Sequence, residues 1–326
     1  TIISYERARG LRKTRKIILD TDIGTDADDS LALILAVKSP ELKVEAVTVV
    51  SDDVEQRAKL ALRVLQVCGI RDIPVAMGLT RPLFRSGNKH WAGFSGHGID
   101  LSDPKLVPSS EHAVNLIVSK LMASTGDFTL VTIGPLTNIA AALIIEPRIV
   151  HKIREAFIMG GMIRIPEGVH PLLEYNLSAD PEASRIVLNS RMPITVAGWD
   201  ITHKVVLNEE HLMRIKSAHS PLTDLVVKMV KHFQQNILKQ PCMCLHDPLT
   251  VGVSVDKTLV KTRRMFVGVE TKGELTTGHT VAYTPNIYTL PRIFKPLITP
   301  RITNAEVATE VEADRFLEMF LQRIMS

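Results

Sequence analysis

Five carboxylates fall within ten residues, Asp20-Thr21-Asp22-Ile23-Gly24-Thr25-Asp26-Ala27-Asp28-Asp29. Negative charges this close repel one another, so the cluster is costly unless a cation or the hydroxyls of a ligand neutralise it. Oxygen donors with no Cys or His among them suit a hard divalent ion, Ca²⁺ or Mg²⁺, rather than zinc. The apolar run Lys16-Ile17-Ile18-Leu19 before the cluster reads as a strand, and Ser30–Val37 after it as a buried helix. The carboxylates thus sit at the carboxyl end of a strand and the amino end of a helix. Open α/β sheets bind ligands there, and the helix dipole favours anions.

Further polar groups stand in apolar surroundings. His246-Asp247-Pro248 lies between Leu245 and Leu249, and an imidazole beside a carboxylate serves acid/base chemistry, metal ligation or a plain capped turn. In Glu174-Tyr175-Asn176, the two outer side chains point the same way if the segment is extended, as a rack for a polyhydroxyl ligand would require. Asp180-Pro181 reads as a helix cap followed by the first helical position. Ile133-Gly134-Pro135-Leu136-Thr137-Asn138 and Met159-Gly160-Gly161-Met162 each end a strand. Their glycines permit close backbone approach. Cys242, Cys244 and His246 lack the second pair that structural zinc wants, so the thiols are read as free.

These groups need a scaffold, and the alternation along the chain supplies one. Strand-like runs at Val44–Val50, Ile73–Ala76, Phe128–Ile133, Ala156–Met159, Ile194–Ala197 and Met265–Val269 alternate with helical periodicity. The predicted helices are Glu55–Val67, Ala113–Ala123, Leu136–Ile144, Pro181–Leu188, Leu222–Leu238 and Val311–Ile324. That order predicts an α/β, single-domain, Rossmann-like architecture: a mostly parallel open sheet with helices on both faces. Long loops are predicted at Gly78–Leu106, Arg164–Leu173 and Tyr283–Asn304. Residues 1–15 read as a basic leader (Arg7, Arg9, Arg12, Lys13, Arg15) and 16–326 as one catalytic domain.

The remaining composition narrows the classes. With 45% apolar and 23% charged residues the chain is an ordinary globular protein, and no apolar run is long enough to span a bilayer. No secretory signal is expected, and three scattered cysteines suit a reducing cytoplasm. The leader has no interleaved aromatics, so neither nucleic acid nor membrane is an expected partner.

Taken in order, the motifs resemble the nucleoside hydrolase family, of the inosine-uridine preferring type. The resemblance runs from Lys16 to about Ala282. It rests on the acidic start, Val50-Ser51-Asp52-Asp53, Pro74-Val75-Ala76-Met77-Gly78, Gly134-Pro135-Leu136-Thr137-Asn138-Ile139-Ala140, Met159-Gly160-Gly161, Glu174-Tyr175-Asn176, Asp180-Pro181-Glu182-Ala183 and His246-Asp247-Pro248. It implies calcium-dependent hydrolysis of the N-glycosidic bond of a small-molecule ribonucleoside, giving base and ribose. It also implies Asp22, Asp29, the Ile133 carbonyl and Asp247 as Ca²⁺ ligands, with Asp20 in support. Asp28 matches the general base towards the attacking water and His246 the acid to the leaving base. Glu174 and Asn176 match ribose-binding residues, Asp53 stands where many members have Asn near the ribose, and His97 is a candidate base contact. A homodimer or homotetramer is expected by the same likeness.

The acidic turn departs from the family's usual Asp-x-Asp-Pro-Gly-x-Asp-Asp. Ile23 replaces Pro, and two extra residues precede the final Asp pair, which leaves Asp26 as a rival to Asp28. Base preference stays open, because the inosine–uridine type's base-contacting tyrosines have no match beside Phe233 and Gln234. Two other classes fit the residues less well. A haloacid-dehalogenase phosphatase wants Thr or Val where Gly24 stands. A non-catalytic nucleoside- or Ca²⁺-binding protein needs neither Asp28 nor His246.

Overall fold

The computed structural model describes residues 14–84, 98–170, 174–284 and 302–326. The chain forms β1 (Arg15–Thr21), α1 (Asp28–Lys38), β2 (Leu42–Val49), α2 (Val54–Val67), β3 (Val75–Met77), α3 (Ala113–Met122), β4 (Phe128–Thr132), α4 (Thr137–Ile145) and β5 (Ile153–Met159). There follow α5 (Asn176–Ala179), α6 (Pro181–Leu188), β6 (Ile194–Ala197), α7 (Trp199–Thr202), β7 (Val206–Leu207), α8 (Glu209–Lys216) and α9 (Pro221–Phe233). The last elements are β8 (Met243–Cys244), α10 (His246–Val255), β9 (Val260–Val269), β10 (Thr280–Tyr283), β11 (Ala305–Val311) and α11 (Ala313–Met325).

Among the described residues nine strands form one sheet, ordered β10-β9-β11-β6-β5-β4-β1-β2-β3. Pairing is parallel from β11 through β3, and β9 and β10 add an antiparallel edge. Alternation along β1 shows how both faces are covered. Ile17 and Leu19 pack with α1, α2, α10 and α11, while Ile18 points into the other layer with α3, α4 and α6. The predicted α/β sheet with helices on both faces is what the chain forms. No helix among the described residues is long and apolar enough to cross a membrane.

From β1 the chain runs outward to β2 and β3, then returns to lay β4 on the other side of β1. The loops after β1 and β4 therefore leave in opposite directions and open a crevice at their carboxyl ends, the usual ligand position in such sheets. Gly134 sits where these loops touch. A Cβ there would lie 2.7 Å from the Asp22 amide nitrogen and 2.8 Å from Asp22 Oδ1, so only glycine lets the β4 loop reach the acidic turn.

Three differences from the sequence expectation have physical causes. Helix α10 was not anticipated because it is buried on nearly every side and so shows no amphipathic period. Strand β11 fills the stretch left unassigned between the loop expected to Asn304 and the helix expected from Val311, and because that strand runs through Val311, α11 begins only at Ala313. The helix expected over Leu222–Leu238 stops at Phe233, and a π-type turn over Gln234–Leu238 ends on left-handed Lys239 (φ 56°).

Candidate functional site

The acidic turn closes on itself before α1 begins. Gly24 adopts φ 99°, the Thr25 amide donates to the Asp22 carbonyl (3.1 Å), and Thr25 Oγ1 donates to Asp22 Oδ2 (2.7 Å). Asp28 and Asp29 then occupy the first turn of α1, where unpaired amides and the helix dipole favour negative charge. Facing them is the amino end of α10. Asp28 Oδ2 accepts the backbone N–H groups of His246 (3.0 Å) and Asp247 (3.1 Å), so two helix starts meet through one carboxylate.

That meeting brings Asp28, Asp29 and Asp247 together, each offering an oxygen within 4.8 Å of the others, and all three are buried. Asp29 Oδ1 accepts from Thr21 Oγ1 (2.6 Å), which turns its carboxylate towards the group. The sequence reading paired Asp29 and Asp247 with Asp22 and the Ile133 carbonyl. The structure puts Asp28 in the tightest set, with Asp22 one step back beside Gly134. Asp20 lies beneath, accepting from Asn138 Nδ2 (2.9 Å) and Thr48 Oγ1.

Electrostatics records the crowding. Burial pushes Asp28 up to about 6, against the pull of the Asp247 and His246 amides. Burial raises Asp20 to about 7, and it raises Asp29 and Asp247 well above the usual carboxylate range, with neighbouring carboxylates adding to the shift. Asp22 is also raised by burial, though Arg57 and Thr25 oppose it. Two like charges about 4 Å apart cost roughly 4 kcal/mol at the effective dielectric of a partly buried site. Protons or a cation must hold the group together. Asp20 Oδ2 and Asp26 Oδ1 are buried with no hydrogen-bond partner among the described residues. Carboxylates with spare oxygens and no nitrogen or sulfur donor fit a hard divalent cation.

Across the crevice lies the second polar group. Asn176 Nδ2 donates to the carbonyls of Ile133 and Met159, each at 3.2 Å. Glu174 accepts the amides of Asn176 (2.6 Å) and Leu177 (3.0 Å), and burial pushes it up to about 7. The segment is not the extended rack that the sequence suggests: Tyr175 is helical (φ −85°, ψ −47°) and Asn176 opens α5. Glu174 thus caps a short helix, which is why it and Asn176 stay side by side.

His246 sits at the edge of the crevice. Its Nδ1 is 2.7 Å from Thr202 Oγ1, and its ring stacks on Trp199, which in turn stacks on His203 with centroids 4.6 Å apart. Burial, with His203 nearby, lowers His246 to about 4, so the ring is neutral at physiological pH.

One expectation falls elsewhere. Asp53 lies at the exposed start of α2, where Oδ1 accepts the Gln56 amide (3.0 Å), and its neighbour Asp52 faces Arg57 at 3.7 Å. His97 lies outside the described residues. The zinc-like string carries free cysteines, with Cys244 Sγ directed at the His203 carbonyl (3.3 Å).

Sequence reasoning missed Asn138, Thr202 and Arg57. Asn138 knits β1, β2 and β3 together, donating to Asp20 and the Val49 carbonyl (3.1 Å) and accepting the Leu79 amide (2.9 Å). Arg57 carried a readable signal: it falls on the same helical stripe as the buried Leu60, Ala61 and Val64.

Comparison with known proteins agrees with this geometry. Residues 17–318 match the profile of the inosine-uridine preferring nucleoside hydrolases. The pyrimidine-specific ribonucleoside hydrolase RihA of Salmonella gallinarum is 34% identical over 322 residues, covering 94% of this chain and 97% of the relative. Among solved structures, a purine-preferring ribonucleoside hydrolase from Gardnerella vaginalis superposes with a TM-score of 0.82 at 29% identity, covering 95% of this chain and 98% of that one. The plant nucleoside hydrolase PpNRh1 does so with a TM-score of 0.82 at 28% identity, covering 96% and 99%. The buried carboxylates at the end of β1 therefore stand in a protein that belongs to the inosine-uridine preferring nucleoside hydrolase family.

Proposed function

We propose that this chain hydrolyses the N-glycosidic bond of ribonucleosides with Ca²⁺ as its cofactor. The observation that carries the reading is the convergence of Asp28, Asp29 and Asp247 on one point, with His246 at the same helix start and Glu174 and Asn176 opposite. Asp22, Asp29, Asp247 and the Ile133 carbonyl would hold the ion, with Asp20 in support. Bound there, Ca²⁺ supplies positive charge that orients ribose hydroxyls and makes water more acidic.

The protein's own groups do the rest. Asp28, held by two amides through Oδ2 and pushed up to about 6, takes a proton from the attacking water through its remaining oxygen. The surrounding carboxylates stabilise the positive charge that develops on the sugar ring. Glu174 and Asn176 bind ribose hydroxyls. Thr202 Oγ1 lies 2.7 Å from Nδ1; donating there, it would keep the His246 proton on Nε2, the tautomer that suits a donor to the leaving base. A neutral ring is a hydrogen-bond donor there, and full proton transfer needs the imidazolium that burial disfavours.

The family match over 17–318 supports one catalytic domain, residues 16–326, behind the basic leader. Relatives of similar likeness are named for pyrimidines in one case and purines in another, so the proposal stops at ribonucleosides. A homodimer or homotetramer in the cytoplasm completes it. The test is ribose release from inosine, adenosine, guanosine, uridine and cytidine, with Ca²⁺ and after chelation. Calcium-dependent release from any of them upholds the reading. No release from all five by folded, calcium-loaded protein would overturn it.

A further inference from the structure

Arg57 is an anomaly of charge. It is only 5% exposed, and its guanidinium lies against the very turn that is to hold a cation. Nη1 donates to the carbonyls of Asp22 and Ile23 (3.1 Å for the latter) and to Thr25 Oγ1 (2.9 Å). Nε donates to the Ser51 carbonyl (2.8 Å), and Nη2 is 3.7 Å from Asp52. Ser51 and Asp52 are both left-handed, at φ 73° and 51°, a conformation that side chains other than glycine rarely adopt. One side chain therefore ties two irregular turns together, the acidic turn after β1 and the strained turn after β2.

The contacts map onto the part of the turn that departs from the family pattern. Thr25 belongs to the longer segment between Gly24 and the Asp28-Asp29 pair. Its hydroxyl accepts from Arg57 and donates to Asp22, so the guanidinium reaches the Asp22 carboxylate through Thr25. A planar fork serving several oxygens at fixed angles is a task for arginine that lysine does not duplicate.

We propose that Arg57 is a positioning residue for the lengthened acidic turn, holding Asp22 through its carbonyl and through Thr25, so that cation affinity depends on the fork and not on its charge. This rests on the metal-site reading above. Charge and position predict opposite signs. A positive group beside a cation site repels the cation, so an Arg57 that merely balanced the carboxylates would, on removal, leave a tighter site. An Arg57 that positions the turn leaves a weaker one.

The experiment is a calorimetric Ca²⁺ titration of wild type, Arg57→Lys, Arg57→Met and Thr25→Val, paired with amide hydrogen exchange across residues 20–29 of the metal-free proteins. Positioning predicts that both Arg57 variants lose about 10–100-fold in Ca²⁺ affinity, as supporting partners of metal ligands commonly do. Thr25→Val loses a smaller factor in the same direction, and exchange in the turn quickens in all three. Tighter binding by Arg57→Met with wild-type binding by Arg57→Lys would show a charge role and overturn the proposal, as would unchanged affinity throughout. If Arg57→Met does not fold, Thr25→Val and Arg57→Lys decide by the same criteria. If wild type binds no Ca²⁺, the metal-site reading fails by itself. The exchange data then judge Arg57: unchanged protection in Arg57→Lys overturns its positioning role, and lost protection upholds it.

Discussion

Strand β1 begins and ends in charge, but the two ends handle it differently. At its start Lys16 pairs with Asp127 at 3.2 Å, and the Arg15 amide donates to the carbonyl of Glu41, whose carboxylate pairs with Arg323 at 2.8 Å. Each carboxylate there has its own cation and partial access to solvent. At the other end Asp20, Asp22, Asp28, Asp29 and Asp247 are all buried, and the Arg57 guanidinium reaches only the Asp22 side of the group. The first arrangement is what surface stability asks for, and it is worth little per pair. The second is costly to the fold and makes sense only as a site that a ligand completes.

The sharpest way to break this contrast is to remove the ion. Chelation should abolish nucleoside turnover and Ca²⁺ should restore it, while the start of β1 is indifferent to both; turnover that survives exhaustive chelation would refute the metal role. Next in size, Asp28→Asn should lower kcat by about 10²–10⁴-fold, the range of general-base contributions. The same variant should raise the thermal midpoint of the metal-free protein, because it deletes a buried charge. A lower midpoint would mean that Asp28 stabilises the fold.

Asn138→Ala should lower stability by roughly 3 kcal/mol, because it strands the Leu79 amide and removes one donor each from Asp20 and the Val49 carbonyl at a buried position. Chemical denaturation measures this, and a change under about 1 kcal/mol would show that water replaces the amide.

The pH dependence distinguishes the ends in another way. Folding raises Asp28 to about 6 and Asp20 and Glu174 to about 7, from ordinary values of 3.8 for Asp and 4.5 for Glu. The folded state thus holds protons that the unfolded chain has released. Their contribution to stability is full below the unfolded values and is lost as pH rises through 6 to 7. His246, lowered to about 4, acts in the opposite sense but is a single group. Metal-free protein should therefore melt at lower temperature at neutral pH than near pH 5, and Ca²⁺ should erase the difference while releasing protons. A midpoint that rises with pH in the metal-free protein would contradict the raised carboxylates. Smallest of all, Lys16→Ala should leave turnover unchanged and scarcely move the midpoint; a large drop would mean that the start of β1 also carries weight.

Much of the site was legible because its residues are local. The acidic turn, His246-Asp247 and the Asp180-Pro181 cap each declare themselves within a few positions, since strand ends and helix starts impose their own residue preferences. Glu174 and Asn176 were legible as a pair but misread as extended, because a helix of four residues leaves no periodic signal. Asp53, which the resemblance places near the ribose, caps α2 through the Gln56 amide.

By itself the sequence determined the alternating α/β order, the two apolar faces and the acidic turn at the end of β1, all of which follow from residue type and short-range spacing. Only the tertiary structure decided that Asp28 joins Asp29 and Asp247, that Asn138 braces Asp20, that Thr202 orients His246 and that Arg57 ties two turns together. The contacts that make these choices reach across 35 to 219 positions. Their geometry is set by which strands lie side by side and how the helices pack across them, and no local pattern records that.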